Sequence, residues 1–484
     1  MPTRPGTDRC DRAGRGVLNP DREGALAVVE STTLIEHLER LVPMGPDDAE
    51  LSDGYVLVQD GRIGAIGSGE IGSRREGATV VDGRGLIALP GLVNTHHHFF
   101  QTVTRALPAA QNVRLLEWEA TNYPYWTRID EEAVYATAQV ALAELLLSGC
   151  TTSSDQLYAF PKHTGGAVPM VGAEVEAAKS LGIRIQATRG AVDVGAGDPT
   201  VRAAEFIEHT DAILDSMQSL IAQFHDPSEG AMVRIGLGPN GVTVCTEALM
   251  RGCVELARSS GVTLHTHVAE IPEEAEYCAA HFGMRPIERL AELGWVSEPV
   301  WMAHAVHLND ADIAMMAAGG AAVAHCPSSN MRLGSGAPPV LEMLDGGMDV
   351  GLGVDGSASN DAGNLLAEAR AALLMSRLRR PDKLMTARQA LRMATAGGAA
   401  ALKRGDIGSL AIGKQADIAL FRPSGVAAAG FENDPLAGLI LGSPARAAHV
   451  MVQGRFVVRD GRLTRVEEDA IAERHQAVVA RIVH

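Results

Sequence analysis

Three consecutive histidines, His96 to His98, are the residues in this sequence whose type and spacing most directly suggest chemistry. They follow an apolar segment, within the run Leu-Pro-Gly-Leu-Val-Asn-Thr-His-His-His-Phe-Phe-Gln. In an extended segment, positions i and i+2 face the same side, so His96 and His98 can converge on one ion while His97 points away. The spacing predicts two metal ligands, against the simpler interpretation of three ordinary surface or core histidines.

Three further apolar runs end in an imidazole or a carboxylate. His267 ends one run and is followed three residues later by Glu270, which could approach a metal-bound water without being a ligand. His304 ends the second run and Asp355 ends the third. Taken singly, His267 is equally well a core residue, and an aspartate before a glycine is more often a turn former. Taken together, three histidines and one carboxylate form a nitrogen and oxygen ligand set suited to Zn²⁺ or Fe²⁺.

The elements that must position these side chains are strands alternating with helices, from about residue 89 to residue 402. Short apolar strands are predicted at 183–188, 233–238, 262–267, 321–326 and 350–355, between longer Ala- and Leu-rich helical stretches. This alternation is typical of an α/β protein with a parallel sheet, and its length favours a (β/α)8 barrel of the TIM type. The chemically capable residues then fall at the C-terminal ends of the strands, where barrel active sites form.

Segments 25–88 and 403–465 have a different pattern, with short strands separated by turn residues. Asp60-Gly61 lies between two apolar runs, which is a strong hairpin signal, and a similar pattern returns near residue 449. We expect the two segments to form a small composite β domain beside the barrel. Residues 1–24 are predicted to be a loose extension and residues 466–484 a helical tail.

Composition excludes several classes of function. The 484 residues include 42 basic and 59 acidic residues, for a formal charge of -17, which disfavours nucleic-acid and membrane-surface partners. An H-x-E motif with P-C-x-x-C, typical of nucleic-acid deaminases, is absent from the sequence. Six scattered cysteines and the lack of a membrane-spanning or signal segment indicate a reduced, cytoplasmic protein.

The combined set of His96-x-His98, His267 with Glu270, His304 and Asp355 resembles the amidohydrolase superfamily, in the branch with one metal ion. The resemblance covers nearly the whole chain, since the flanking β segments are similar to the composite β domain of that family. Ile-Gly-Lys-Gln-Ala-Asp-Ile-Ala-Leu, from residue 412, is similar to its C-terminal signature. Within the superfamily, the runs that begin at residues 94, 325 and 354 resemble the 8-oxoguanine deaminases.

The resemblance implies a site and a mechanism. His96, His98, His267 and Asp355 would hold one divalent ion, zinc or iron, that activates a water molecule. Asp355 would also accept the proton of the water, and Glu270 would carry protons to the ring nitrogen and then to the leaving amine. His304 would stabilise the tetrahedral centre. The implied reaction is hydrolytic deamination of an amino-substituted heteroaromatic ring.

Three residues are candidates for binding the substrate. Gln101 can pair with a purine edge as donor and acceptor, Arg189 can bind a carbonyl or enolate oxygen, and Trp118 can stack on the ring. The alternatives are a polar residue at a helix start for Gln101, a structural ion pair for Arg189 and a core position for Trp118.

The resemblance favours 8-oxoguanine as the ring, with urate and ammonia as the products. The alternatives are isoxanthopterin or another pterin, and an s-triazine of the hydroxyatrazine type. The runs 151–161 and 238–243 depart from the pattern of the 8-oxoguanine deaminases, and both are expected to border the pocket. The partners implied are a small heterocycle and water, in a homo-oligomer. A catalytically dead scaffold is a different class of function, and the complete set of ligands, with Glu270 and His304, argues against it.

Overall fold

Our computed structural model describes residues 32–47, 49–72, 76–194 and 204–484. The predicted N-terminal extension, residues 1–24, lies outside these ranges. Strands near both ends of the described chain flank a central run of alternating strands and helices. In these ranges no helix is long and apolar enough to cross a membrane.

The N-terminal strands form hairpins and short parallel pairs. They are β1 (Thr33–Leu38), β2 (Arg40–Leu41), β3 (Gly54–Gln59), β4 (Arg62–Ser68), β5 (Thr79–Asp82) and β6 (Ile87–Pro90). The Asp60-Gly61 hairpin is confirmed, because β3 pairs antiparallel with β4 directly across this turn. Asp60 and Gly61 have φ values of 50° and 77°, the left-handed pair that a two-residue hairpin turn requires.

Eight parallel strands close into a barrel, in the order in which they occur along the chain. They are β7 (Leu92–Asn94), β8 (Cys150–Leu157), β9 (Arg184–Ala191), β10 (Val233–Pro239), β11 (Thr263–Val268), β12 (Val300–His304), β13 (Ala322–His325) and β14 (Val350–Leu352). Pairing of Leu352 in β14 with Asn94 in β7 completes the closure. The (β/α)8 barrel predicted from the alternation of strands and helices is therefore confirmed.

Helices connect the barrel strands and cover them. They are α1 (Leu115–Trp126), α2 (Glu131–Leu147), α3 (Ala167–Leu181), α4 (Thr210–Phe224), α5 (Glu247–Ser260), α6 (Pro272–Phe282), α7 (Pro286–Glu292), α8 (Asp310–Gly319), α9 (Pro327–Arg332), α10 (Val340–Asp345), α11 (Leu365–Arg379), α12 (Ala387–Arg392) and α13 (Gly398–Ala401). A 3₁₀ helix at Phe99–Thr104 follows β7 directly. The caps are encoded locally; for example, the Asp130 carboxylate accepts the backbone N–H of Ala133 and starts α2.

The C-terminal strands return to the N-terminal ones. The last elements are β15 (Ile418–Phe421), α14 (Pro435–Leu441), β16 (His449–Val452), β17 (Arg455–Arg459), β18 (Arg462–Leu463) and α15 (Glu468–Val483). β15 pairs antiparallel with β6 in a six-stranded sheet of order β18-β17-β16-β15-β6-β2. The composite β region is thus confirmed, and the C-terminal tail is helical as predicted.

The β region contains two sheets, a feature not anticipated from the sequence. The second sheet, of order β4-β3-β1-β5, is built from N-terminal strands alone. Apolar side chains of both sheets share one core, including Ile35 and Val56 from one sheet and Ile418 and Met451 from the other. The domain boundaries at residues 88/89, 402/403 and 465/466 stay predictions.

Candidate active site

The four predicted ligands meet at the C-terminal ends of β7, β11 and β14. Single ligand atoms of His96, His98 and Asp355 lie within 4.8 Å of one another. Nε2 of His267 lies 3.3 Å from Nε2 of His98. His97 is directed elsewhere, since its Nδ1 accepts the backbone N–H of His98 at 2.8 Å. The alternating orientation expected from an extended segment is what the structure shows.

Backbone carbonyls fix the protonation of two ligand rings. Nδ1 of His98 lies 2.8 Å from the carbonyl oxygen of Gln156, and Nδ1 of His267 lies 2.9 Å from that of Asn240. A carbonyl oxygen only accepts hydrogen bonds, so each Nδ1 carries the hydrogen. Nε2 of both rings therefore presents a lone pair, as a metal ligand must.

A chain of two imidazoles fixes the third ring. Nδ1 of His265 donates to the carbonyl oxygen of Trp301 at 2.8 Å, so Nε2 of His265 is an acceptor. Nδ1 of His96 lies 2.8 Å from that acceptor and donates to it. Nε2 of His96 is therefore also unprotonated, and it is buried without a hydrogen-bond partner among the described residues.

These ligands fit a divalent cation. Burial lowers the pKa of His96, lowers that of His98 to about 3 and holds that of His267 well below the usual value, so all three rings are neutral at pH 7. The lone pairs on Nε2 of His98 and Nε2 of His267 face each other across 3.3 Å, with no hydrogen between them. They repel each other unless a cation lies nearby. Three imidazole nitrogens and a carboxylate oxygen form a ligand set that Zn²⁺ accepts.

Asp355 is held with one oxygen toward the ligand histidines. Its Oδ1 lies 3.2 Å from Nε2 of His96, and its Oδ2 accepts the hydroxyl of Ser359 at 3.0 Å. Burial alone would raise its pKa, but the neighbouring imidazoles, those of His96 and His304 foremost, hold it well below the usual value. Its φ of 61° is unusual for a residue other than glycine, a type of strain that concentrates at functional sites.

Glu270 and His304 face each other beside the ligands. Nε2 of His304 lies 3.7 Å from Oε2 of Glu270, and its Nδ1 donates to the side-chain oxygen of Asn330 at 3.0 Å. Burial raises the pKa of Glu270 to about 7, which suits a group that must take up and release a proton. Burial opposes a charge on His304, but the carboxylates of Glu270 and Asp355 outweigh this effect and raise its pKa.

A cavity of about 240 Å³ opens onto these side chains. Its lining includes Glu270, His304 and Asp355 together with residues of the segments that follow β8 and β10. Tyr158 belongs to the first divergent run, and Asn240 to the second. The prediction that both runs border the pocket is therefore confirmed.

Comparison with known proteins assigns this barrel to a family. Residues 87–457 match the amidohydrolase family. The chain belongs to the amidohydrolase family. It is 41% identical over 431 residues to the 8-oxoguanine deaminase of Pseudomonas aeruginosa, covering 89% of this chain and 95% of that protein. The hydroxydechloroatrazine ethylaminohydrolase of Pseudomonas sp. strain ADP is 33% identical, covering 94% and 96% of the two chains.

Among solved structures, this amidohydrolase is similar to the atrazine chlorohydrolase of Arthrobacter aurescens TC1 complexed with zinc. The two share 37% sequence identity and a TM-score of 0.87, with 92% of this chain and 100% of that chain covered. The likeness therefore extends over most of this chain and all of that one.

Two of the three predicted substrate-binding residues line the cavity of this amidohydrolase. Gln101 lies in the 3₁₀ helix after β7, and its Nε2 donates to the hydroxyl of Tyr158 at 3.3 Å. Trp118 lines the cavity from α1, and its Nε1 donates to the carbonyl oxygen of Ala358 at 3.0 Å. Both side chains are nearly fully buried, so their positions are well defined.

Arg189 does not reach the cavity. Its Nη2 lies 2.7 Å from the carboxylate of Glu208, its Nε donates to Ser216, and its guanidinium lies over the ring of Phe160. These contacts match the alternative considered for Arg189, a structural ion pair. A role in substrate binding is not supported by this geometry.

The sequence analysis did not single out the residues that hold the predicted site side chains. His265 holds His96, Asn330 holds His304, and Ser359 holds Asp355. Asn330 and Ser359 lie in the runs on which the family resemblance rested, but only the fold brings each one beside its partner. Their side-chain types alone carried no signal of these contacts.

Proposed function

We propose that this amidohydrolase converts 8-oxoguanine to urate and ammonia with one divalent metal ion, preferably Zn²⁺. The observation that carries the proposal is the convergence of three unprotonated Nε2 atoms, Asp355 and Glu270 on one cavity. The choice of ring rests on the 41% identity to a deaminase of 8-oxoguanine over most of both chains.

His96, His98, His267 and Asp355 would hold the ion. When bound, Zn²⁺ lowers the pKa of water from ~16 toward ~7 and so makes a nucleophile available at neutral pH. Two of the ligand rings are anchored by backbone carbonyls, and His96 is anchored through His265. These hydrogen bonds fix the orientation of each ring, and so the direction in which its Nε2 would face the ion.

The proton steps fall to Asp355 and Glu270. The ionised Asp355 takes the proton of the attacking water, whose oxygen adds to the ring carbon that bears the amino group. Glu270, protonated at the start, gives its proton to the adjacent ring nitrogen. As the carbonyl forms, the Glu270 carboxylate takes the remaining proton of the added hydroxyl and passes it to the amine, so that the C–N bond breaks and ammonia leaves. Asp355 then releases its proton through solvent, and Glu270 is protonated again. His304, whose raised pKa favours the charged form, stabilises the negative charge that develops on the oxygen added to the ring carbon.

Gln101 and Trp118 would bind the ring. The amide of Gln101 offers a donor and an acceptor to a purine edge, and the indole of Trp118 offers an apolar surface. Arg189 takes no part, because its guanidinium is engaged by Glu208.

The test is ammonia release from a panel of rings by the zinc-loaded protein. 8-Oxoguanine is expected to give the highest kcat/KM, ahead of guanine, isoxanthopterin and hydroxylated s-triazines. If 8-oxoguanine is inert while another ring of the panel is hydrolysed, the substrate assignment is wrong and the mechanism still holds.

A second candidate is hydrolysis of an s-triazine, which the structural similarity to atrazine chlorohydrolase favours. The same attack on an electron-poor C=N carbon would remove an alkylamine or a halide. Isoxanthopterin is a further alternative suggested by the sequence motifs. The Tyr158 and Asn240 segments are the parts of the cavity that would decide between these rings.

We also propose a cytoplasmic location and a homo-oligomeric assembly. The five cysteines in the described ranges are all buried free thiols, as expected of a protein in a reducing compartment. Size measurement in solution tests the assembly.

A further inference from the structure

Gly356, which follows the catalytic Asp355, lies against the side-chain amide of Gln101. A Cβ placed on Gly356 would overlap Oε1 and Cδ of Gln101 and lie 3.0 Å from its Nε2. The φ of Gly356 is outside the left-handed region, so the backbone conformation does not require glycine there. Glycine is required there because a side chain would occupy the space of the Gln101 amide.

The amide of Gln101 is held on its other side by Tyr158. Nε2 donates to the Tyr158 hydroxyl, which leaves Oε1 as the acceptor end of the amide. This oxygen is buried and has no hydrogen-bond partner within the described ranges. A buried acceptor left unpaired is costly, and a ligand that donates a hydrogen bond to it recovers that cost.

We propose that Gly356 is a specificity-determining position that acts through Gln101. Its missing side chain leaves the space that the Gln101 amide occupies, and so keeps the amide in one orientation at the wall of the cavity. The niche selects rings whose edge pairs with the amide in that orientation. This inference rests on the proposed function, because it needs Gln101 to bind the substrate.

Gly356→Ala tests the niche directly. The added methyl group meets the far end of a flexible side chain, so the protein is expected to fold while the amide is displaced. We expect kcat/KM for 8-oxoguanine to fall about tenfold, mainly through a higher KM, as for the loss of one hydrogen bond at a buried acceptor. Zinc content is expected to stay at the wild-type level. Gly405→Ala is the matched control, because a Cβ at Gly405 meets no atom within 4 Å.

A double-mutant cycle separates the niche from a disturbance of Asp355. In a Gln101→Ala background, Gly356→Ala is expected to cause no further loss, because the group through which it acts is absent. Gln101→Asn shortens the side chain and is expected to restore part of the activity that Gly356→Ala removes. If Gly356→Ala does not fold, the test is made on the Gln101→Asn/Gly356→Ala protein. Its activity is then expected to equal that of Gln101→Asn.

The outcomes distinguish the two proposals. An additive loss in the cycle, or a loss of zinc in Gly356→Ala, would overturn the niche and assign the glycine to Asp355. A wild-type KM in Gly356→Ala beside a raised KM in Gln101→Ala would overturn it as well. If 8-oxoguanine is inert, the same cycle is run on the ring that the panel identifies, so failure of the substrate assignment is seen separately. If Gln101→Ala leaves KM unchanged for every productive ring, the niche has no function to serve and the inference fails.

Discussion

The side chain of Asp355 combines the features that a proton acceptor needs. It is ionised at neutral pH, it is held by the Ser359 hydroxyl, and its free oxygen faces the ligand histidines. Asp355→Asn keeps the shape but removes the basic oxygen, so we expect a folded protein whose turnover falls by about 10²–10⁴-fold. Circular dichroism checks the fold and ammonia release checks the rate. Near-normal turnover would contradict the role of Asp355.

Metal loading of single histidine variants tests the orientation of the His96–His98 run. His98→Ala is expected to lose most of the bound zinc, because it removes a ligand nitrogen. His97→Ala is the matched control and should keep most of the metal, since among the described residues its side chain hydrogen-bonds only to the backbone N–H of His98. Equal zinc loss in both variants would show that His97 is part of the site.

The depressed pKa values of the ligand histidines predict how zinc affinity depends on pH. An exposed histidine, with a pKa near 6.5, becomes protonated as pH falls and then no longer binds metal. Burial lowers the pKa of His98 to about 3, and those of His96 and His267 also lie below the ordinary value. Protons therefore compete weakly above pH 5.5.

Competition titrations with a chelator, corrected for the chelator's own protonation, measure this dependence. Between pH 8 and pH 5.5 we expect zinc affinity to fall less than about tenfold, where three ordinary histidines would lose about 10³-fold. A fall in zinc affinity of about 10³-fold would mean that the ligand rings are solvated in the metal-free protein.

The ligands could be predicted from the sequence, but their supports could not. Alternation along a strand depends only on local geometry, so His96 and His98 were separable from His97. The Arg189–Glu208 ion pair and the His304–Asn330 hydrogen bond depend on how loops fold back. A single sequence carries no signal for such contacts.

At the scale of elements, a buried ion pair joins the barrel to the composite sheet. Arg184 at the start of β9 donates from Nε and Nη2 to the carboxylate of Asp417, just before β15, at 2.7 and 3.0 Å. Both side chains are almost fully buried. Removing one partner of a buried pair leaves the other charge uncompensated, which is strongly destabilising.

Asp417→Ala is therefore expected to lower the free energy of unfolding by about 3–5 kcal/mol. Glu176→Ala is the control, because it removes an exposed partner of Lys179 and should cost less than about 1 kcal/mol. Urea unfolding of the zinc-loaded proteins measures both. Equal stability losses would show that the Arg184–Asp417 pair does not hold the two regions together.

The alternation of elements predicted the barrel because each strand and helix has its own local pattern. The division of the β region into two sheets was not predictable, because β6 and β15 pair across more than 300 residues of intervening chain. Their apolar sequences fit either sheet equally well. The pairing of β6 with β15 is set by the apolar core that the two sheets share.

At the scale of the whole molecule, the fold places one metal set and one cavity at the C-terminal face of a closed barrel. The Tyr158 and Asn240 segments border the cavity but supply none of the predicted ligands. Such a division lets one barrel architecture support different substrates. This separation explains why the class of reaction follows from the ligand set, whereas the ring was predicted only from the family resemblance.

A zinc titration of the metal-free protein, with ammonia release from 8-oxoguanine recorded at each step, shows whether one bound ion is needed for the reaction. A single mononuclear site predicts that activity rises linearly and stops rising at one equivalent of zinc per chain. It also predicts that a chelator abolishes the activity and that added zinc restores it. Activity that is independent of metal, or that needs two equivalents per chain, would contradict the account.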